Sequence, residues 1–259
     1  MDYSGVVLDV DGTVVRGDEP IPGAREGLDL LREAGLDRLF VSNNPTKAPP
    51  AYVDRLGRAG FGVGEEEVVT AGTVATSYLA DNHADDRLFL VGEDGLREQF
   101  AAADLHLTDD PGAAEVVVAS IDREFHFDDL TDAYEALGDE SVPLIGTDPD
   151  RVIPAPHRDI PGSGAIVNAV AGVAEREPDT MLGKPSEPAR RIVLDRLGLP
   201  AEECLVVGDR LDTDVEFGRR AGMTTVLVTT GITDRRRVER SDVDPDYVID
   251  SLAELDGIL

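Results

Sequence analysis

The stretch Gly5-Val6-Val7-Leu8-Asp9-Val10-Asp11-Gly12-Thr13 decides how the rest of the chain is read. Val6, Val7 and Leu8 have the pattern of a short strand buried on both faces of a parallel sheet. The run stops at two carboxylates, Asp9 and Asp11, at the strand's carboxyl end. Carboxylates there are costly to desolvate without a counter-charge, and a hard divalent cation supplies one. Gly12 lets the backbone turn and bring its N–H close to an anion. Together these residues describe a metal-dependent phosphate site. Two plainer readings are a surface turn and a calcium loop. The buried run opposes the first, and Thr13 and Val14 stand where a calcium loop needs another Asp or Asn and then Gly.

The chain has 259 residues, long enough for a proper core with a smaller companion domain. It carries 53 acidic against 24 basic residues, a formal net charge of −29. So negative a surface argues against nucleic acid or an anionic membrane as partner. Only two of the basic residues are lysines, Lys47 and Lys184; the other 22 are arginine. Abundant acid with scarce lysine suggests adaptation to high intracellular salt, where self-repulsion is screened. The single cysteine, Cys204, excludes an internal disulfide and reads as a core thiol in a reducing compartment. No secretory signal and no apolar run of transmembrane length is visible, so a soluble, cytoplasmic protein is expected.

Strand and helix patterns alternate along the whole chain. Leu39–Val41 is a second buried strand ending in Ser42-Asn43-Asn44, and Leu205–Val207 is another ending in Gly208-Asp209. Helices are expected over 24–34, 51–59, 73–80, 188–197 and 214–221. A second alternation runs from Leu88: strands at 88–91, 115–119 and 142–145, and helices at 96–103, 127–137 and 164–174. A Pro-rich loop, Pro154–Pro161, precedes the last of these helices, and Arg176–Pro178 reads as a linker back. The expected architecture is α/β: a doubly wound parallel-sheet core, residues 1–77 and 181–259, with a smaller α/β domain inserted at 78–180. Ligands of such sheets bind beyond the carboxyl ends of the strands. Asp9 with Asp11, Ser42 with Asn43, and Asp209 are therefore expected to converge.

This set fits phosphoryl transfer, which depends on positioning and on neutralising the phosphoryl oxygens. Asp9 is placed to attack phosphorus and form an aspartyl-phosphate. Asp11 is placed to protonate the leaving oxygen and later to take a proton from water. Ser42 and Asn43 offer hydrogen-bond donors, Lys184 a point charge, and Asp209 a further carboxylate for the metal. Asp214 is expected to orient Lys184 or a metal-bound water.

The motifs Asp-Val-Asp-Gly-Thr (9–13), Ser-Asn-Asn (42–44), Gly-Lys-Pro (183–185) and Gly-Asp-Arg-Leu-Asp-Thr-Asp (208–214) resemble the four motifs of the haloacid dehalogenase superfamily, in order and in register. The resemblance implies Asp9 as nucleophile, Asp11 as general acid/base, and Mg²⁺ on Asp9, the Asp11 carbonyl and Asp209. It also implies Gly12, Ser42, Asn43, Asn44 and Lys184 around the phosphoryl group, with Thr13 and Asp214 supporting them. Twenty-eight residues separate Thr13 from Ser42, whereas 141 separate Ser42 from Lys184. That spacing resembles the branch with a large cap between the second and third motifs, the NagD-like, 4-nitrophenylphosphatase and phosphoglycolate phosphatase group. One departure is Asp148, where that group usually has Asn. The resemblance implies hydrolysis of a small phosphomonoester such as phosphoglycolate, a nucleotide or a sugar phosphate, and a homodimer through the cap. A phosphomutase of the same superfamily and a non-catalytic phospho-receiver or metal-binding module are the alternatives.

Other candidates read as structural. Gly162-x-Gly164 lacks the third glycine of a dinucleotide fingerprint, and His83, His106, His126 and His157 share no metal-ligand spacing. Arg151, His157 and Arg158 read as solvated loop residues rather than substrate contacts. Lys47, near the second motif, reads equally well as functional or as exposed.

Overall fold

A computed structural model of the chain describes residues 3–153 and 158–259. His157 and part of the expected Pro154–Pro161 loop lie outside the described residues. The rest forms two compact units, one of residues 3–42, 49–69 and 184–259, the other of residues 43–48 and 70–153 with 158–183.

The first unit opens with strand β1 (Gly5–Leu8), fully buried as its apolar run requires. Helix α1 (Ala24–Glu33) follows, burying Leu28 and Leu31 on one face. Strand β2 (Asp37–Ser42) comes next, exposed at its start and buried over its last four residues. Helix α2 (Pro49–Arg58) begins with two prolines, whose fixed φ suits a first helical turn. It buries Tyr52, Arg55 and Leu56, one face at i, i+3 and i+4 spacing. Strand β3 (Val68–Thr70) closes this half.

The second unit contains helix α3 (Ala71–Asn82), strand β4 (Leu88–Val91), helix α4 (Asp94–Ala102), strand β5 (Leu107–Thr108), strand β6 (Val116–Ala119) and helix α5 (Phe127–Ala136). Strand β7 (Leu144–Gly146), helix α6 (Ser163–Val173) and strand β8 (Thr180–Met181) complete it. Its five strands lie in the order β8-β7-β6-β4-β5 and all pair in parallel. The strand expected at 142–145 begins at Leu144 rather than at Val142: Val142 N–H closes a turn onto Asp139 O, and Pro143 has no N–H to give. Beyond the expected linker, Thr180–Met181 adds an edge strand beside β7. Two-residue strands such as β5 and β8 carry no readable alternation, which is why the sequence does not announce them.

The chain then returns to the first unit with helix α7 (Glu187–Leu197), strand β9 (Cys204–Gly208), helix α8 (Glu216–Ala221), strand β10 (Thr224–Val228) and strand β11 (Tyr247–Ile249). Ser186 caps α7 by accepting from Ala189 N–H at 3.2 Å, and Gly198 ends it in the left-handed conformation. The six strands of this unit lie in the order β11-β10-β9-β1-β2-β3. Strand β1 pairs in parallel with both β9 and β2, so the sheet reverses its winding direction between β1 and β9. A doubly wound sheet opens its ligand crevice at such a switch point. Asp9, Ser42 and Asp209 all sit at strand ends beside it.

Two local shapes differ from the sequence expectation. The helix expected from Asp214 starts earlier, as a π-helical turn over Leu211–Val215 in which Val215 N–H reaches Arg210 O at 3.1 Å. Near the end of the described chain, where the sequence pattern of Ser251–Leu255 reads as a short helix, the structure has a 3₁₀ segment over Leu252–Gly257. No helix among the described residues is long and apolar enough to cross a membrane.

Candidate active site

Asp9 directly follows β1, and its backbone N–H continues the ladder onto Val207 O at 2.9 Å. The side chain is 11% exposed. One carboxylate oxygen, Oδ1, accepts from Lys184 Nζ at 2.7 Å, while Oδ2 accepts from Thr13 Oγ1 at 3.3 Å. Burial holds the Asp9 carboxyl well above the usual carboxylate range; Lys184 opposes that shift, while Asp214 and Asp209 add to it. Lys184 is only 2% exposed and spends its other donors on Asp214 Oδ1 (2.6 Å) and Val41 O (2.9 Å). Burial pulls its pKa down, but the adjoining Asp214 and Asp9 outweigh that and raise it. It is a fixed cation.

Asp209 follows β9. Its Oδ2 accepts from Ile232 N–H at 2.6 Å, and its carbonyl accepts from Thr233 N–H at 3.2 Å. Its Oδ1 is buried and has no hydrogen-bond partner. Burial, reinforced by Asp214, pushes this carboxyl up to about 7. The loop after β1 presses closely on Asp209: a Cβ on Gly12, which has φ +98°, would stand 2.5 Å from Asp209 Oδ2. Only glycine fits there. Asp214 is held in the π-helical turn, its Oδ2 accepting from Arg210 N–H at 3.1 Å.

Ligand atoms of Asp9, Asp209 and Asp214 lie within 4.8 Å of one another, forming a group that can hold a metal ion. No histidine belongs to it. Three buried carboxylates against one lysine leave an excess of negative charge, and Asp209 Oδ1 is an orphaned acceptor. A buried polar atom left unpaired is destabilising, as is uncompensated buried charge. A hard divalent cation with oxygen ligands relieves both, so the residues present fit one.

Ser42 closes β2, buried, with its Oγ 2.8 Å from Tyr52 Oη. Asp11 is half-exposed, 50% for the side chain, and both its oxygens meet Arg55: Oδ1 at 2.6 Å from Nη2, Oδ2 at 3.1 Å from Nη1. Sequence reasoning missed both α2 residues. The available signal was an arginine sharing the apolar face of α2 with Tyr52 and Leu56.

Sequence reasoning also missed the loop after β10. There Thr230 Oγ1 donates to Gly12 O at 2.6 Å, and Ile232 reaches Asp209. Its signal was a strand end on the same side of the sheet as the others.

The remaining candidates lie in the second unit. Asn44 Oδ1 accepts from Thr46 N–H and Lys47 N–H at 2.9 and 3.0 Å, which shapes its own loop. Lys47 is exposed, as are Arg151 and Arg158. Asn43 Oδ1 and the Asp148 Cβ both crowd Gly183, within 2.9 Å of where a Cβ would stand. Asp148 is buried, and burial, with Asp150 beside it, pushes its carboxyl up to about 8.

Residues 6–106 match the family model of the haloacid dehalogenase-like hydrolases, and residues 181–255 match a second model described as HAD-hydrolase-like. Mouse chronophin is 34% identical over 97% of this chain and 91% of its own. The acid sugar phosphatase of Staphylococcus haemolyticus is 32% identical, over 95% and 92%. The solved p-nitrophenyl phosphatase of Archaeoglobus fulgidus superposes with a TM-score of 0.93 at 38% identity, covering 100% of both chains. NagD from Escherichia coli K-12 superposes with a TM-score of 0.85 at 25% identity, covering 98% of each.

Proposed function

The chain belongs to the haloacid dehalogenase-like hydrolases and is a phosphomonoesterase of that family; from that premise we propose that it hydrolyses a small phosphorylated metabolite with Mg²⁺, through an aspartyl-phosphate on Asp9. The observation that carries this reading is the Asp9 carboxylate fixed between Lys184 and Thr13, beside the orphaned Asp209 Oδ1.

In this reading an Asp9 oxygen attacks phosphorus. An O–P bond to Asp9 forms as the bond to the leaving oxygen breaks, and Asp11 gives that oxygen its proton. Water then attacks the phosphorus of the aspartyl-phosphate, Asp11 takes its proton, and inorganic phosphate leaves with Asp9 restored. Lys184, held by Asp214 and Val41 O, keeps a positive charge beside the phosphoryl oxygens in both steps. The Ser42 hydroxyl, steered by Tyr52, donates to one of those oxygens, with Asn43, Asn44 and the Gly12 N–H as further donors. Asp9, the Asp11 carbonyl and Asp209 would hold Mg²⁺, which when bound neutralises charge developing on the transferred group.

The second unit is the cap in this proposal and supplies the residues that choose the metabolite. The strongly acidic surface supports a cytoplasmic protein whose partner is a small molecule rather than nucleic acid or membrane. A homodimer through the cap belongs to the same proposal. The test is phosphate release from 4-nitrophenyl phosphate and from a panel of phosphoglycolate, sugar phosphates and nucleotides, with Mg²⁺ or with EDTA. The reading expects metal-dependent release with one metabolite well ahead. Folded protein that releases no phosphate from any of them overturns it.

A further inference from the structure

Arg55 is the one buried arginine of this chain among the described residues, and the strands that carry the acidic site do not contain it. Its guanidinium is 7% exposed and meets Asp11, Gly17 O and, at 3.6 Å from Nε, Asp18 Oδ1. Nη1 and Nη2 take the two oxygens of Asp11, at 3.1 and 2.6 Å; Nε and Nη2 take Gly17 O, at 2.9 and 2.5 Å. The guanidinium carbon also lies 5.7 Å from the centre of the Tyr52 ring, within range of a cation–π contact. Burying a guanidinium is expensive, and the fork-to-carboxylate geometry is what makes such a site stable. Burial would lower the Arg55 pKa, but the bonds and charge of Asp11 outweigh it, so the side chain stays charged.

The two ends of this arrangement matter equally. Asp11 is half-exposed beside the turn after β1, and Arg55 takes both of its side-chain oxygens. The anchor at Gly17 O fixes the guanidinium from the far side, so the fork presents a fixed edge to Asp11. One turn of the same helix earlier, Tyr52 meets Ser42. A single helix face, spaced i and i+3, therefore reaches both the proton-handling carboxylate and the phosphate-gripping hydroxyl.

We propose that Arg55 is a positioning residue that sets the orientation of the Asp11 carboxyl for proton transfer to the leaving oxygen. This rests on the reading of Asp11 as general acid. Two lone pairs on each oxygen leave room for a proton while the fork is engaged. Arg55 itself touches neither the phosphoryl group nor the nucleophile.

The test compares phenyl phosphate, whose leaving group needs a proton, with 4-nitrophenyl phosphate, whose weakly basic leaving group departs without one. kcat/KM is measured for the wild type, Arg55→Met, Arg55→Lys, Asp11→Asn and the Asp11→Asn/Arg55→Met double variant, since it reports the step in which that bond breaks. We expect Arg55→Met to lose about 100-fold on phenyl phosphate and far less on 4-nitrophenyl phosphate, mainly in kcat. Arg55→Lys, which keeps the charge and loses the fork, shows the same selective loss, and its fold is the fallback if the methionine variant melts. In the double variant, Arg55→Met adds nothing to the selective loss on phenyl phosphate that Asp11→Asn already causes. Equal losses on both substrates in the Arg55 variants, while Asp11→Asn keeps its selective loss, overturn the proposal and leave Arg55 a structural tie. Equal losses in Asp11→Asn itself overturn the general-acid reading on which the proposal stands.

Discussion

Asp214 Oδ1 takes a hydrogen bond of 2.6 Å from Lys184 Nζ, which places the same ammonium 2.7 Å from Asp9. Asp214 thus holds the lysine beside Asp9. Asp214→Asn weakens that hold and is expected to lower kcat by about 10- to 100-fold with the fold intact, the range typical of groups that orient a functional neighbour. Steady-state kinetics and a thermal melt check it.

Lys184→Met removes the only lysine facing Asp9, Asp209 and Asp214. Leaving buried charge uncompensated costs about 3–5 kcal/mol, so urea unfolding without divalent metal should show a loss of that order. Millimolar Mg²⁺ should return part of it, because the cation takes over neutralisation. A variant as stable as the wild type in EDTA would contradict the charge argument.

In the proposed metal site, the Asp209 carboxyl, pushed up to about 7 by burial, makes Mg²⁺ binding depend on pH. Below that value it is protonated, and the proton competes with the cation. Mg²⁺ affinity measured by calorimetry should therefore rise as pH increases toward about 7 and level off above it. Asp209→Asn should abolish the thermal stabilisation that Mg²⁺ gives.

Asp148 carries a separate pH signature. Its folded pKa of about 8 lies far above its unfolded value, so the folded state binds the extra proton between them. Stability then falls as pH rises through that window and becomes flat above about 8. The slope limit of ~1.4 kcal/mol per pH unit puts the loss from pH 6 to pH 8 at about 2 kcal/mol. Asp148→Asn keeps the shape without the charge; it should flatten the curve and be the more stable form at pH 9, as urea titrations would show.

A net charge of −29 predicts that raising KCl from 0.1 M to multimolar concentration increases the melting temperature, because repulsion among exposed carboxylates is screened. A melting temperature that falls with salt would argue against high-salt adaptation.

The candidate site was readable wherever its residues sit at a strand's end. Buried runs that stop abruptly at Asp9, Ser42 and Asp209 are periodicity signals, and strand–helix alternation brings such ends to one edge of a sheet. Lys184 stood out because the chain has only one other lysine and otherwise uses arginine. Arg55 was not readable in the same way: its partner Asp11 lies 44 residues away, and no local pattern records that pairing. The loop at Thr230–Thr233 was hidden for a related reason: Ile232 and Thr233 reach Asp209 through backbone N–H groups whatever their side chains, and Thr230 meets Gly12 from 218 residues away. Asp148 was visible as a departure from a pattern, but its burial depends on Thr147, Asp150 and Ser163 packing around it in the fold.

The most direct measurement is acid quenching of the enzyme during turnover of 4-nitrophenyl phosphate with Mg²⁺, followed by peptide mass spectrometry. The account predicts a phosphoryl group on Asp9, and no turnover in Asp9→Asn, which should fold normally. A peptide that stays unmodified while phosphate is released, or an Asp9→Asn variant retaining even a few per cent of activity, would contradict it.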